Sequence, residues 1–204
     1  AVNARMQNAG QSCIAAKRFL VHETIAEEFI AKFKVAILNL KTGNPLDKET
    51  QIGSLARVDL AEELEAQVQK SIQMGADLIV GGTRKEAFYE PTILANVTTE
   101  MPVFNEETFG PVAAIITFKT IKEAIELSNQ SEFGLGVSIF TQDIDFIKTK
   151  ISAFNEGAVF INDMVKSDPR LPFGGIKKSG YGRELAEDGI KEFVNVKTVV
   201  INTF

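Results

Sequence analysis

Cys13 is the single cysteine of a 204-residue chain and sits in NAGQSCIAAKRF, residues 8 to 19. A lone cysteine has two readings: a small buried apolar residue, or, where its thiolate is stabilised, a nucleophile. Gly10, Gln11 and Ser12 make a flexible polar approach to it, and Ile14, Ala15 and Ala16 could start a helical turn just after it. Free N–H groups at such a turn would lower a thiol pKa and stabilise an oxyanion. The residues name no partner base. His22 is the only histidine and lies at a strand-to-helix junction beside Glu23, where a solvated loop residue is the simpler reading. One Cys and one His do not supply the ligands of a zinc site, so no metal is expected. No Ser stands in G-x-S-x-G. FGLGVSIF at 133 to 140 breaks G-x-G-x-x-G at its last position, and GGIKKSGYG at 174 to 182 lacks the spacing of a P-loop. The sequons at Asn96 and Asn129 are what chance places in a chain of this size.

The elements that would carry Cys13 alternate between two hydrophobic periods. Residues 17 to 21 read as a strand, and Ile25, Phe29, Phe33 and Ile37 then mark one stripe of a helix. Leu60, Leu64, Val68 and Ile72 mark a second helix, stopped at Gly75. Strands are expected at 76 to 80, 91 to 97 and 111 to 118, the last almost wholly apolar, as suits a strand covered on both faces. A helix through Ile121 to Leu127, a strand at 136 to 140, a helix through Ile144, Ile147 and Ile151, and a strand at 158 to 162 follow. After a glycine-rich loop come a helix from about 182 to 193 and a final strand at 197 to 203. The alternation predicts an α/β fold: an open, mostly parallel twisted sheet with helices on both faces, and function on loops at the strand ends. Without a linker or repeat, residues 1 to 196 read as one compact domain. The segment 197 to 204, β-branched and terminal, is expected to pair either with this sheet's edge or with that of another copy.

Composition limits the partners. With 45% hydrophobic and 24% charged residues the chain is globular rather than disordered. Lys+Arg 22 against Asp+Glu 27, net −5 and without a basic run, gives nucleic acid or an anionic membrane surface no electrostatic footprint. The apolar runs fall well short of the roughly 18 residues that a membrane span needs. The N-terminus AVNARMQN lacks the features of a signal peptide, and one cysteine forms no internal disulfide, so a reducing cytoplasm is expected. The chain starts at Ala1 rather than Met, which leads us to expect a segment upstream.

NAGQSC at 8 to 13, EETFGPV at 106 to 112 and PFGGIKKSGYGRE at 172 to 184, in that order, resemble the catalytic half of the aldehyde dehydrogenase superfamily, and the similarity runs through nearly the whole chain. The resemblance implies that Cys13 is the nucleophile, its thiolate attacking an aldehyde whose hydride passes to NAD or NADP and whose thioester is hydrolysed. It implies Glu107 as holder of the nicotinamide ribose hydroxyls, Phe109 as the aromatic beside the nicotinamide, Phe173 as a wall of the substrate tunnel, and Asn162 as a polar residue near it. Without the resemblance, Glu107 reads equally as a surface carboxylate and Phe173 as plain core. Gly110, Pro111, Gly174, Gly175 and Gly180 read as backbone-shaping residues. INDMVKSDPRLPFGG, with CIAAKRF, looks most like the succinate semialdehyde branch, in which Ser167 and Arg170 would meet the substrate carboxylate; both also read as a solvated loop. Another branch of that activity carries an Arg six positions before the nucleophile; here Gln7 stands there and Arg5 lies two residues earlier. Ala15 replaces a second Cys found in some relatives.

The family's general base and Asn oxyanion donor precede the nucleophile by more than the twelve residues found here, as does its dinucleotide-binding domain. The 204 residues alone are therefore expected not to turn over. Two other readings stand beside the dehydrogenase: a non-catalytic interaction domain joined to a partner through 197 to 204, and an acylating relative that passes the acyl group to coenzyme A or phosphate. A homo-oligomer is expected from the terminal strand.

Overall fold

The computed structural model describes residues 1–203; Phe204, the last residue of the expected contact segment, lies outside them. The chain divides into two compact units, Ala1–Ser131 and Glu132–Phe204, where the sequence pattern had given one. The division falls directly after a helix, without a change of composition to mark it.

In the first unit, α1 (Val2–Met6) precedes β1 (Arg18–His22) and α2 (Ala26–Leu38). Phe33 and Ile37 recur at four-residue spacing and are buried, and the Phe33 ring lies 5.2 Å from that of Phe19 on β1. Ile25 precedes the helix in a short 3-10 turn and is 52% exposed, so the buried stripe begins one turn later than its spacing predicts. Next comes α3 (Val58–Gln73), which buries Ala61, Leu64 and Val68 and ends where Gly75 takes φ +108°. The strands β2 (Asp77–Val80), β5 (Thr92–Ala95) and β6 (Val112–Phe118) join β1 in one sheet of order β1-β6-β5-β2. The pairings β1/β6 and β6/β5 are parallel and β5/β2 is antiparallel, with a bulge between Leu78 and Val80. All four residues of β5 and the first four of β6 are buried, so both faces are covered at the middle of the sheet, as the unbroken apolar run predicted. A hairpin of β3 (Arg84–Lys85) and β4 (Phe88–Tyr89) and the short α4 (Pro102–Asn105) went unread because two-residue strands and a single helical turn carry no period. The unit closes with α5 (Ile121–Asn129). Thr120 caps it by accepting from Glu123 N at 3.2 Å, and Glu123 accepts from Lys119 N at 2.8 Å.

The second unit holds two small sheets. β7 (Phe133–Gly134) pairs antiparallel with β10 (Ile176–Lys177), and β8 (Val137–Ile139) pairs parallel with β9 (Val159–Ile161). The β8–β9 crossover contains α6 (Ile144–Lys148), capped by Asp143, which accepts from Phe146 N at 3.0 Å. The helix stops before Ile151, which lies in a 3-10 turn.

The C-terminal expectations change most. The last helix, α7 (Ala186–Lys191), is six residues rather than twelve, and Phe193 and Val194 beyond it are exposed. Residues 197–203 form no strand among the described residues, and Ile201 is 80% exposed. β-branched composition permits an extended backbone, but a strand needs a partner's hydrogen bonds, and among the described residues this segment has no such backbone partner.

Candidate active site

The backbone around Cys13 is shaped by its own motif. Asn8 and Ala9 both take left-handed φ values, +50° and +53°, and Gly10 follows at +75°. Asn8 Nδ2 donates to Gln11 O at 3.0 Å and Gln11 Nε2 returns to Asn8 O at 3.3 Å, which holds this unusual turn. Gln11 Oε1 accepts from Ala56 N at 2.9 Å, tying the turn to the stretch before α3. Cys13 then stands exposed in a single β-turn closed by Ala15 N to Ser12 O at 3.0 Å. The helical turn expected over Ile14 to Ala16 does not form: Ala15 N is used within the turn and Ala16 N donates to Ala4 O at 2.8 Å. The N–H groups of Cys13 and Ile14 keep no acceptor among the described residues, so two backbone donors beside the thiol are free.

Arg5 locks this turn to the EETFGPV loop. Its side chain is fully buried. Nε donates to Gly110 O at 3.1 Å, Nη1 to Ala16 O at 3.0 Å and Ala15 O at 3.5 Å, and Nη2 to Gly10 O at 3.0 Å, Thr108 O at 3.2 Å and, closely, Gly110 O. A planar fork of five N–H donors suits such a set of converging carbonyls, and an ammonium would not. Burial pushes the guanidinium down to about 9, with the Glu107 charge opposing it. Sequence reasoning had noted Arg5 only as a displaced candidate for the substrate carboxylate; the structure gives its donors to backbone. Close approach completes the lock. A Cβ on Gly10 would lie 2.0 Å from Gly110 O, and one on Gly110 would lie 2.3 Å from Leu64 Cδ2 of α3, so both glycines shape backbone, although Gly10 reads from sequence as part of a flexible approach.

Glu107 and Phe109 are brought beside the Cys13 turn by Lys17, a residue that sequence reasoning passed over. Lys17 Nζ lies 3.5 Å from Glu107 Oε1 and 4.8 Å from the centroid of the Phe109 ring. It also donates to Ser12 O at 3.2 Å and to Cys13 O and Ala15 O, each at 3.3 Å. Only 11% of the side chain is exposed. Burial, followed by the neighbouring Arg5 charge, pushes the amine down to about 8, while Glu107 and then Cys13 oppose that shift. From the other side, Gln67 Nε2 of α3 donates to Glu106 Oε2 at 2.9 Å and to Glu107 O at 3.3 Å. Ser71, one turn further on, donates to Gln67 O and accepts from Val103 N of α4. A buried Gln and Ser on an otherwise apolar helix face are the signal that could have marked α3 as a support for the EETFGPV loop. Arg18, at the head of β1, donates closely from Nε to Phe104 O, and its guanidinium lies 5.2 Å from the Phe104 ring.

The remaining candidates belong to the second unit. Asn162 takes φ +55° just after β9, and its amide is engaged at both ends with Thr141: Oδ1 accepts from Thr141 N and Nδ2 donates to Thr141 O, each at 2.8 Å. Phe173 is buried and exchanges backbone hydrogen bonds with Glu184, both at 2.8 Å. Ser167 is exposed. Arg170, with 85% of its side chain exposed, pairs with Asp168 through Nε–Oδ1 at 2.9 Å and Nη2–Oδ2 at 2.7 Å. That guanidinium holds the Asp168 carboxyl well below the usual carboxylate range. His22 is structural: Nδ1 meets Thr24 Oγ1 at 2.9 Å, Nε2 meets Lys119 O at 3.1 Å, and its ring stands edge-on to Phe118. Among the described residues no three of His, Cys, Asp and Glu gather as a metal site would require, and no helix is long and apolar enough to cross a membrane.

A thiol in a clamped turn with free N–H donors, joined to an acidic and aromatic loop on an α/β sheet, defines a class that the comparisons identify. Residues 1–199 match the aldehyde dehydrogenase family, and the chain belongs to that family. It is 49% identical over 202 residues to the NAD(P)+-dependent succinate semialdehyde dehydrogenase Sad of Escherichia coli strain K12, covering 98% of this chain and 44% of that protein. Among solved structures it is similar to succinic semialdehyde dehydrogenase from Streptococcus pyogenes in complex with NADP+, at TM-score 0.93 and 37% identity, covering 98% of this chain and 45% of that one. It is also similar to glyceraldehyde-3-phosphate dehydrogenase from Methanocaldococcus jannaschii complexed with NADP, at TM-score 0.94 and 39% identity, covering 99% and 44%. The chain thus spans less than half the length of these relatives.

Proposed function

We propose that the natural protein carrying this chain oxidises an aldehyde with NAD or NADP as hydride acceptor, that its substrate is succinate semialdehyde, and that Cys13 is the nucleophile. The observation that carries this reading is the Arg5 clamp. It fixes the exposed Cys13 turn and the loop of Glu107 and Phe109 to one another through shared backbone carbonyls. The Cys13 thiolate attacks the aldehyde carbon, and the free N–H groups of Cys13 and Ile14 are the donors available to the oxygen as it gains charge. Bound NAD or NADP supplies the hydride acceptor. Water then releases the acid and restores the thiol.

The residues present fit a nicotinamide riboside. Glu107 offers a partly exposed carboxylate to a pair of hydroxyls, and Phe109 offers an exposed ring beside it. The names of the Escherichia coli and Streptococcus pyogenes relatives support succinate semialdehyde. Ser167 and Arg170 are proposed to meet its carboxylate, Arg170 being already ordered by Asp168. Phe173 and Asn162 are assigned to the substrate side on the resemblance.

The test is formation of reduced cofactor by the natural protein with succinate semialdehyde, butanal and glyceraldehyde 3-phosphate in parallel. The expected result is preference for succinate semialdehyde and a loss of about a thousandfold or more in Cys13→Ala. Glu107→Gln is expected to raise KM for the cofactor by about tenfold. Preference for glyceraldehyde 3-phosphate would replace the substrate, turnover only with coenzyme A or phosphate would replace the reaction by acyl transfer, and full activity in Cys13→Ala would remove the nucleophile. Arg170→Ala is expected to raise KM for succinate semialdehyde far more than for butanal; equal effects would release Arg170 from the carboxylate.

A further inference from the structure

Lys17 differs from the other paired lysines of this chain. Lys32 and Glu28, for instance, are both mostly exposed, and such a pair contributes little. Lys17 is nearly enclosed, and its ammonium bonds three carbonyls of one four-residue turn, those of Ser12, Cys13 and Ala15. Carbonyls converging on a cation fix the peptide planes between them, and those planes set where the Cys13 N–H and side chain lie. The same ammonium reaches Glu107 Oε1 and covers the Phe109 ring. The charged and titratable groups facing it are Arg5 from α1, Glu107 from the EETFGPV loop and Cys13 from the turn itself. The adjacent Arg18 is turned to Phe104.

We propose that Lys17 is a positioning residue that couples the Cys13 turn to Glu107: one protonated side chain holds both in a single arrangement, and its removal frees both. Charged, the ammonium has donors for the turn and neutralises the carboxylate that would receive a diol. Neutral, it loses a donor and its attraction for Glu107, which then turns to water. Thiol reactivity and the placement of Glu107 therefore depend on the same proton. The consequence for turnover rests on the aldehyde dehydrogenase reading; the coupling within this chain does not.

Alkylation of Cys13 by iodoacetamide near neutral pH measures the first half in this chain. Lys17→Met is expected to slow it by about fivefold, with Lys17→Arg restoring most of the rate, because the turn that carries the thiol loses the donor that fixes its carbonyls. Wild-type alkylation in Lys17→Met, with an unchanged circular dichroism spectrum, would overturn the proposal. Should Lys17→Met fail to fold, the titration of the Lys17 amine decides. Followed by acetic anhydride labelling and mass spectrometry, its midpoint is expected near 8 in the wild type and at least about half a pH unit lower in Glu107→Gln. Identical midpoints in the two proteins would equally overturn it. In the natural protein, Lys17→Met is expected to raise KM for the cofactor as well as to lower kcat, with Lys17→Arg recovering both. If both couplings hold in this chain while the natural protein oxidises no aldehyde, the reading of function fails and the coupling stands.

Discussion

The Arg5 guanidinium gives its donors to the carbonyls of Gly10, Ala15, Ala16, Thr108 and Gly110, joining chain segments about a hundred residues apart. Its truncation would take the donor from the carbonyls of Gly10, Ala16 and Thr108, while Ala15 O keeps Lys17 Nζ and Gly110 O keeps Val112 N. Arg5→Met is therefore expected to destabilise the chain by about 3–5 kcal/mol in urea unfolding, and Arg5→Lys to recover less than half of that, since an ammonium cannot span the set. Cys13, Glu107 and Phe109 were legible as candidates because their motifs are contiguous. Arg5 and Lys17 were not, because what makes them matter is burial among carbonyls, and neighbouring letters do not encode burial. The helical turn expected after Cys13 failed for a related reason: Ala16 N bonds a carbonyl of α1, a tertiary competitor that local propensity does not contain.

The loops of the site are held by α3 as much as by the strands. Leu64 fills the space that a side chain on Gly110 would need, while Gly10 approaches Gly110 from the other motif. Gly110→Ala and Leu64→Ala are each expected to destabilise, the second by about 2–5 kcal/mol through the cavity it leaves. The double variant should cost clearly less than the sum, because the new methyl occupies part of that cavity; additive losses in a denaturant-monitored double-mutant cycle would refute the packing argument. Gly10→Ala has no such relief, since its Cβ would meet a backbone oxygen, and it is expected to cost about 2 kcal/mol or more. Elements with a sustained period, such as α2, α3 and β6, matched their expected positions closely. The hairpin β3–β4 and the pair β7/β10 did not declare themselves, because two-residue strands exist only through their partners.

Proton linkage gives the molecule a pH signature. Burial pushes the Lys17 amine down to about 8 from its ordinary 10.5. Between those values the unfolded chain binds more protons than the folded one, so stability rises with pH. The thermal midpoint is expected to climb from pH 8 toward 10 and to climb less in Lys17→Met; a flat wild-type profile would argue against burial of the charge. Tyr89, whose hydroxyl burial pushes upward, acts in the opposite sense above pH 10. Residues 197–203 contribute little to either unit, so their deletion is expected to leave the thermal midpoint unchanged. We propose that this segment adds a strand to a second copy, in which case the deletion lowers the apparent mass in size-exclusion chromatography; an unchanged elution would remove that role.

By itself the sequence determined the family, the α/β alternation and the identity of the exposed thiol, because motif order and hydrophobic period are properties of neighbouring residues. Tertiary structure decided where one unit ends and the next begins, that the terminal segment forms no strand among the described residues, and that two buried cations, Arg5 and Lys17, join the Cys13 turn to the loop of Glu107. These depend on which distant groups meet, and on how far burial strengthens a hydrogen bond or shifts a proton, and neither is local to the chain.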